Sequence, residues 1–342
     1  MSKKQAELPS RPREVSTAIA REMRNVSICV SHPADVYRDW MEICYKTLRA
    51  IPRHLASALE TGNPAEDDDE ARACWERFRD KYKAEDFERF SRAFAMLVSG
   101  FDGFWGGDIE AAEIVGYVYE ELGANVHAGQ FFTPSSIAKL MAEMLVESGP
   151  EEVLSRIRVA IRRATESGGV EEALLFAHAL TMQAFADEGG ESAWRFAERI
   201  LPIIAPYFEP VTVCDPCCGG GIMLMAAVQQ FPPWMAQMGL VQFFGQDIDP
   251  MCCRMTQVNL MLAGVGYGKI RFGDSLGRAA APVGDQPDLR SPSESEAAVA
   301  PADVSVLPSE GTLFVIPAML PARSRPRIRR QPRAEIETGT LF

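Results

Sequence analysis

Over the first 125 residues or so, apolar positions recur at helical spacing. In "DVYRDWMEICYKTLRAIPRHLASALE", Val36, Trp40, Ile43, Cys44 and Leu48 fall at i, i+4 and i+7 intervals and form one apolar stripe. "CWERFRDKYKAEDFERFSRAFAMLVSGF" repeats the pattern with Trp75, Phe78, Tyr82, Phe87, Phe90, Phe94 and Leu97, an aromatic stripe of the kind that fills cores. "GGDIEAAEIVGYVYEELGA" predicts a further helix, with Asp108 as its N-cap and Gly123 as its stop. After a short loop, Thr133-Pro134 opens "SSIAKLMAEML", a predicted helix with Ile137, Leu140, Met141, Met144 and Leu145 on its buried face. From 150 to about 200 the pattern is again helical and breaks at glycine pairs, which predicts an insert packed beside the core. His178 lies there in "LLFAHALTM", an apolar setting that suits a packed or rim histidine better than a ligand.

From 211 the period shortens. "VTVCD" is a β-branched run ending in Asp215, and the glycines after it lead into the helical "IMLMAAVQQF". "VQFFGQDIDP" ends in acids and leads into "MCCRMTQVNLMLAG", and a third run, "KIRFGDSL", ends in Asp274. Strands alternating with helices predict an α/β fold with a parallel sheet, whose ligands bind at the carboxyl ends of the strands. Asp215, Asp247 and Asp274 would all lie at that edge. Beyond Asp274 the chain is rich in Pro, Ser, Ala and Gly and reads as a linker or disordered segment, with "TLFVIPAML" as a strand or docking element. The expected plan is a helical N-terminal domain over 1–125, a core over 126–277 with a helical insert at about 150–205, and a low-complexity tail over 278–342.

Composition bounds the function. Hydrophobic residues make up 47% of the chain, enough for a sizeable core. No apolar run approaches the roughly 20 residues that a membrane span needs. The first residues, "MSKKQAELPSRPREV", lack the apolar stretch of a secretory signal, so a cytoplasmic protein with mostly reduced cysteines is expected. A formal net charge of -12 argues against a surface that is basic all over and leaves room for a local basic groove. "AEDDDE" (65–70) reads as a solvated acidic loop, and the arginines between 323 and 333 as a solvated or phosphate-contacting tail.

"VTVCDPCCGGGIMLMA" carries two candidate chemistries. Cys214 and Cys217 form a C-x-x-C, to which Cys252-Cys253 could add a second pair for zinc. Those two sit inside a probable helix, where adjacent side chains point about 100° apart, and Cys214 ends a strand where free cysteine packs as a small apolar residue. The second reading accounts for more residues. In "DPCCGGG" an acid and a run of glycines lie between a strand and a helix, which lets backbone approach a ligand beside a helix N-terminus. "GQDID" follows about one βα unit later, and an acid ending the second strand is the common partner of ribose hydroxyls. The G-x-G-x-x-G spacing of NAD binders does not occur here.

In order, "GQFFTP", "DPCCGGG", "GQDIDPMCCRMTQVNLMLAGV" and "GDSL" resemble the N6-adenine DNA methyltransferases of type I restriction-modification systems, specifically the modification subunit. The resemblance covers roughly 105–277, interrupted by the insert. It implies a Rossmann-like class I S-adenosylmethionine-dependent methyltransferase core, here incomplete, with S-adenosylmethionine lying across the strand edge. By that resemblance Thr133, with Phe132 and Gln130, holds the methionine end of the cofactor. Asp215, Pro216, Gly219, Gly220 and Gly221 match the loop around its amino-acid portion. Asp247 matches the ribose acid, Ile248 the apolar neighbour of adenine, and Asp274 the acid near the adenine amino group. DNA and a specificity or other restriction-modification subunit are the implied partners.

The family also implies an Asn-Pro-Pro-aromatic or Asp-Pro-Pro-aromatic motif after the fourth strand, which holds the flipped-out adenine. No such string follows Asp274. "FPPW" at 231–234 begins with Phe and reads as a proline stop after a helix. Two expectations therefore stand. One is an adenine-specific DNA methyltransferase, or a subunit whose partner supplies the acceptor motif. The other is a catalytically inactive, truncated or diverged relative that binds cofactor and/or acts as a DNA-binding or subunit scaffold.

Overall fold

The polar residues that begin and end the segments explain where the helices lie. The structure, a computed structural model, describes residues 11–26, 32–67, 69–123, 132–168, 190–266 and 268–275. Helix α1 (Pro12–Arg24) starts on a proline, whose missing N–H costs nothing in a first turn. In α2 (Pro33–Thr61), His32 Nδ1 accepts the Ala34 N–H at 3.2 Å, and Gly62 ends the helix at φ +79°. The long aromatic stripe divides into α3 (Asp69–Lys81) and α4 (Ala84–Phe101). The division is local: the Asp86 carboxylate accepts the Lys83 N–H at 3.0 Å and begins a new helix. Asp108 caps as expected, accepting the Glu110 N–H at 3.1 Å, but it caps a 3-10 turn (Ile109–Glu113) that runs into α5 (Ile114–Glu121).

Next come α6 (Ser135–Val146), α7 (Gly149–Gly168), α8 (Gly190–Arg199) and α9 (Leu201–Ile204). Strand β1 (Val211–Asp215) is followed by α10 (Ile222–Val228) and α11 (Pro233–Gln237). Strand β2 (Val241–Asp247), α12 (Pro250–Leu262) and β3 (Ile270–Phe272) complete the described chain. The sheet is parallel in the order β1-β2-β3, with Val213 opposite Phe243 and Gly245 opposite Ile270.

Two apolar clusters share the molecule. One joins α6–α11 to the sheet and includes Phe196, Met225, Trp234 and Phe243. The other joins α1–α5 and takes in Met251, Cys252, Met255 and Val258 of α12. Helix α12 therefore packs against the sheet on one side and α2 on the other, and every residue from Met251 to Leu260 is buried. Its one arginine is accommodated by pairing: Arg254 lies 2.9 Å from Glu42 Oε2, donates to Gln257 Oε1 at 2.8 Å and stacks on the Tyr45 ring at 3.7 Å.

Helix α6 corrects an expectation. Ile137, Leu140, Met141, Met144 and Leu145 do not face the core; they are 41–76% exposed, and Ala138 and Ala142 are the buried positions. The helix approaches α10 through its alanines, and so close a contact turns the large residues outward. At "FPPW" the preceding helix has ended, at Val228, as a proline stop requires, and the prolines do more. Pro232 and Pro233 open α11 and bury Trp234 against Phe196, with ring centroids 5.7 Å apart. Strand β3 ends at Phe272, two residues before Asp274. Gln130, His178, the arginine run and the tail 278–342 lie outside the described residues. Among the described residues no helix is long and apolar enough to cross a membrane.

Candidate functional site

The sheet register builds a stepped edge. Asp215 lies opposite Gly245, so Asp247 stands two residues further along, about 7 Å beyond it. Phe272 is level with Asp247. Asp274 follows on the exposed chain past β3. Strand ends alone thus place the three predicted acids at one edge, at different heights.

Asp215 is the least satisfied of them. Its Oδ1 accepts the Cys217 N–H at 3.0 Å, while Oδ2 is buried and has no donor among the described residues. Burial pushes its carboxyl above the ordinary range; the Cys217 N–H opposes that shift and the nearby Asp247 charge adds to it. A buried acceptor of this kind awaits a donor.

Asp247 ties the edge together. Oδ2 accepts the Gly219 N–H at 2.8 Å, Oδ1 accepts the Asp249 N–H at 2.9 Å, and its carbonyl accepts the Gly273 N–H at 2.9 Å. Each carboxylate oxygen keeps a second lone pair for a ligand hydroxyl. Asp249 caps α12 through the Met251 N–H at 2.8 Å and receives the Tyr119 hydroxyl from α5 at 3.2 Å.

The glycines have separate reasons. Gly219 (φ +53°) and Gly221 (φ +89°) adopt left-handed backbone that other residues resist. At Gly221 a Cβ would also come within 2.9 Å of Thr256 Oγ1 and 3.1 Å of Thr256 Cα. Helix α12 holds the loop from beneath. Thr256 Oγ1 donates to the Gly219 carbonyl and Asn259 Nδ2 to the Gly220 carbonyl, each at 2.9 Å; the same Asn259 amide donates to Ala112 O at 2.9 Å. Above, the Phe132 ring covers the loop, 3.4 Å from a Cβ built on Gly219 and 3.6 Å from one on Gly116. "FFTP" and "GGG", far apart in sequence, are therefore in contact.

Beside Gly220 opens a cleft of about 300 Å³, lined by Thr133, Ile222, Glu113, Tyr117 and Arg13 among others. On the strand-edge side Pro216 is exposed, Ile248 is 67% exposed and Phe272 43%. Cys217 Sγ lies 3.4 Å from Ser275 Oγ, which brings the glycine loop to the exit of β3. Cys218 and Cys253 meet beneath the loop; their mutual hydrogen bond and burial push the Cys218 thiol far up, as suits buried neutral thiols. Among the described residues no group of His, Cys, Asp or Glu is arranged to hold a metal ion.

Sequence reasoning missed four contributors. Phe272 is an apolar strand end that only the register sets beside Asp247. Thr256 and Asn259 read as ordinary helix positions, and Arg13 lies more than a hundred residues from the loop it approaches. Their i, i+3 spacing, which sets both on one face of a helix that also carries the polar pair Arg254 and Gln257, was the one available signal for Thr256 and Asn259. As a whole the edge suits a ligand with a cationic or hydroxyl donor for Asp215, paired hydroxyls for Asp247, and a flat apolar ring for Ile248 and Phe272.

Residues 178–289 match the family model described as N-6 DNA Methylase. The chain is also similar to the Type I restriction enzyme MjaIX methylase subunit of Methanocaldococcus jannaschii, with 34% identity over 64 residues. That match covers 19% of this chain, and the chain spans about a tenth (11%) of the length of that curated relative. No solved structure matches the chain.

Proposed function

We propose that this chain, whose residues 178–289 match the N-6 DNA Methylase family model, holds S-adenosylmethionine at the strand edge and serves adenine-N6 methylation of DNA, as a methyltransferase or as the methylase subunit of a restriction-modification assembly. In this reading β1–β3 begin a Rossmann-like class I core over 126–277, preceded by a helical domain over 1–125. The setting is the cytoplasm, with DNA and a specificity or other subunit as partners.

The observation that carries the proposal is the buried, donorless Oδ2 of Asp215 at the root of a loop with two left-handed glycines. S-adenosylmethionine has an ammonium for that oxygen, ribose hydroxyls for the free lone pairs of Asp247, and an adenine ring of the right character for Ile248 and Phe272, with Asp274 toward its amino group. Thr133 and Phe132 lie over the glycine loop, where they would confine the methionine end, and Gln130 belongs with them in this assignment. When bound, the cofactor supplies an electrophilic methyl group on a sulfonium. The protein's part is to hold the donor rigidly and away from water, because a fixed near-attack geometry lowers the barrier. The adenine must leave the base stack to present its amine. No Asn/Asp-Pro-Pro-aromatic string occurs among these 342 residues, and this reading assigns the acceptor pocket to none of them.

Calorimetric titration with S-adenosylmethionine tests the donor half. Binding by the wild type is expected, with Asp215→Ala and Asp247→Ala each weakening it by roughly 10-fold or more, as for loss of a hydrogen bond to a charged group. No heat from the wild type at high cofactor concentration would refute the proposal. Transfer of labelled methyl groups to adenine-containing DNA, with and without a cell extract supplying partners, then separates a self-sufficient enzyme from a subunit.

A further inference from the structure

The cleft beside Gly220 contains a side-chain arrangement that the strand edge does not explain. Arg13, from α1, places its guanidinium carbon 3.5 Å from the centroid of the Tyr117 ring. A guanidinium stacked in this way keeps its N–H edge available for a planar anion. The Tyr117 hydroxyl donates to Glu113, and the same carboxylate accepts the Ser135 N–H at 2.8 Å at the start of α6. Burial, then the Glu113 hydrogen bond and charge, push the Tyr117 phenol well above its ordinary value, so it stays a donor. Ring and carboxylate thus fix the plane of the arginine. Thr133 and Gly220 line the same space.

The charges in the cleft select the ligand class. Glu113 and Glu120 line it together with Arg13. A phosphate of DNA would face two carboxylates there, and a plain cation would face the arginine. A zwitterionic α-amino acid avoids both conflicts if its carboxylate points to Arg13 while its ammonium, assigned above to Asp215, faces the glycine loop. Resting on the cofactor reading above, we propose that Arg13 is the receptor for the α-carboxylate of the cofactor's amino-acid end, with Tyr117 and Glu113 as its positioning residues. The N-terminal helices would then supply part of the donor site itself.

The test compares two ligands in the full chain by calorimetry: S-adenosylhomocysteine, which has the amino-acid end, and 5′-methylthioadenosine, which lacks it. Arg13→Ala is expected to weaken S-adenosylhomocysteine by roughly 10- to 100-fold, the range for a charge-assisted pair, and to leave methylthioadenosine unchanged. Arg13→Lys should recover part of the loss. Tyr117→Phe, which keeps the ring but releases Glu113, should show a smaller loss confined to S-adenosylhomocysteine. Unchanged binding of S-adenosylhomocysteine by Arg13→Ala, or an equal loss for both ligands, overturns the assignment while the cofactor reading stands. A wild type that binds neither ligand overturns the cofactor reading and the Arg13 assignment with it.

Discussion

Asn259 is fully buried and joins three parts of the chain. Its amide nitrogen donates at 2.9 Å to Ala112 O, in the turn before α5, and at 2.9 Å to Gly220 O, in the glycine loop, while its own Oδ1 is buried without a partner. Two carbonyl acceptors fix the orientation of the amide, since only the NH2 side can face both. Asn259→Ala removes two hydrogen bonds worth about 0.5–1.5 kcal/mol each and leaves two carbonyls short of a donor, offset in part by removal of the orphaned Oδ1. The expected loss is about 2–3 kcal/mol. At about 2–4 °C per kcal/mol for a chain of this size, the melting temperature should fall by about 4–12 °C. Asn259→Asp should be worse than Ala, because it sets a carboxylate against both carbonyls where burial gives no relief. Thermal melts followed by circular dichroism measure both variants. A change under about 0.5 kcal/mol for Ala, or an Asp variant as stable as Ala, would refute the reasoning.

Two further predictions concern charge. Burial raises the Asp215 carboxyl, so the folded chain binds that proton more tightly than the unfolded one; stability from this group is fullest below the ordinary carboxylate value and declines as pH rises through the raised one. Asp215→Asn should therefore melt higher than wild type at neutral pH, the difference should vanish toward about pH 3, and cofactor affinity should fall. Parallel melting-temperature profiles for the two proteins would contradict this. Arg254→Ala, which strands Glu42 between α2 and α12, should cost about 3–5 kcal/mol in urea unfolding, whereas Arg254→Met with Glu42→Leu should recover most of it. A double variant no better than the single one would show that the pair itself, rather than its uncompensated charge, matters.

The parts of the fold legible in the sequence were those with a strong local pattern. Three β-rich runs, each leading to an acid, became three parallel strands, and their shared direction put Asp215 and Asp247 at one edge. Periodicity failed on α6 because the helix carries two candidate stripes. Ala138 and Ala142 compete with Ile137, Leu140, Met141, Met144 and Leu145, and hydrophobicity favours the large residues while close approach to α10 selects the small ones. The stripe from Trp75 to Leu97 read as continuous because aromatic spacing says nothing of the Asp86 cap that divides it. At the site, Phe272, Asn259 and Arg13 owe their places to strand register, helix packing and a contact between distant segments, none of which leaves a local signature.

The match to the methylase family begins at residue 178, yet much of what surrounds the glycine loop precedes it. Phe132 covers Gly219, Gly116 leaves room for that ring, and Ala112 shares Asn259 with Gly220. Helix α5, which carries Gly116, is held in turn by the Tyr37 hydroxyl donating to Val115 O at 2.8 Å and by Tyr119 donating to Asp249. Tyr37 belongs to α2, the helix that also pairs Glu42 with Arg254 and covers Met251, Met255 and Val258. A fragment holding only the strands and α12 would expose these apolar side chains at a cost of about 1.5–3 kcal/mol each, and would lose the cover over the loop. The helices before the sheet are therefore part of what shapes the glycine loop and the strand edge beside it. A substitution in α1 or α2 can reach the glycine loop through α5 or α12, without touching any residue of the matched segment.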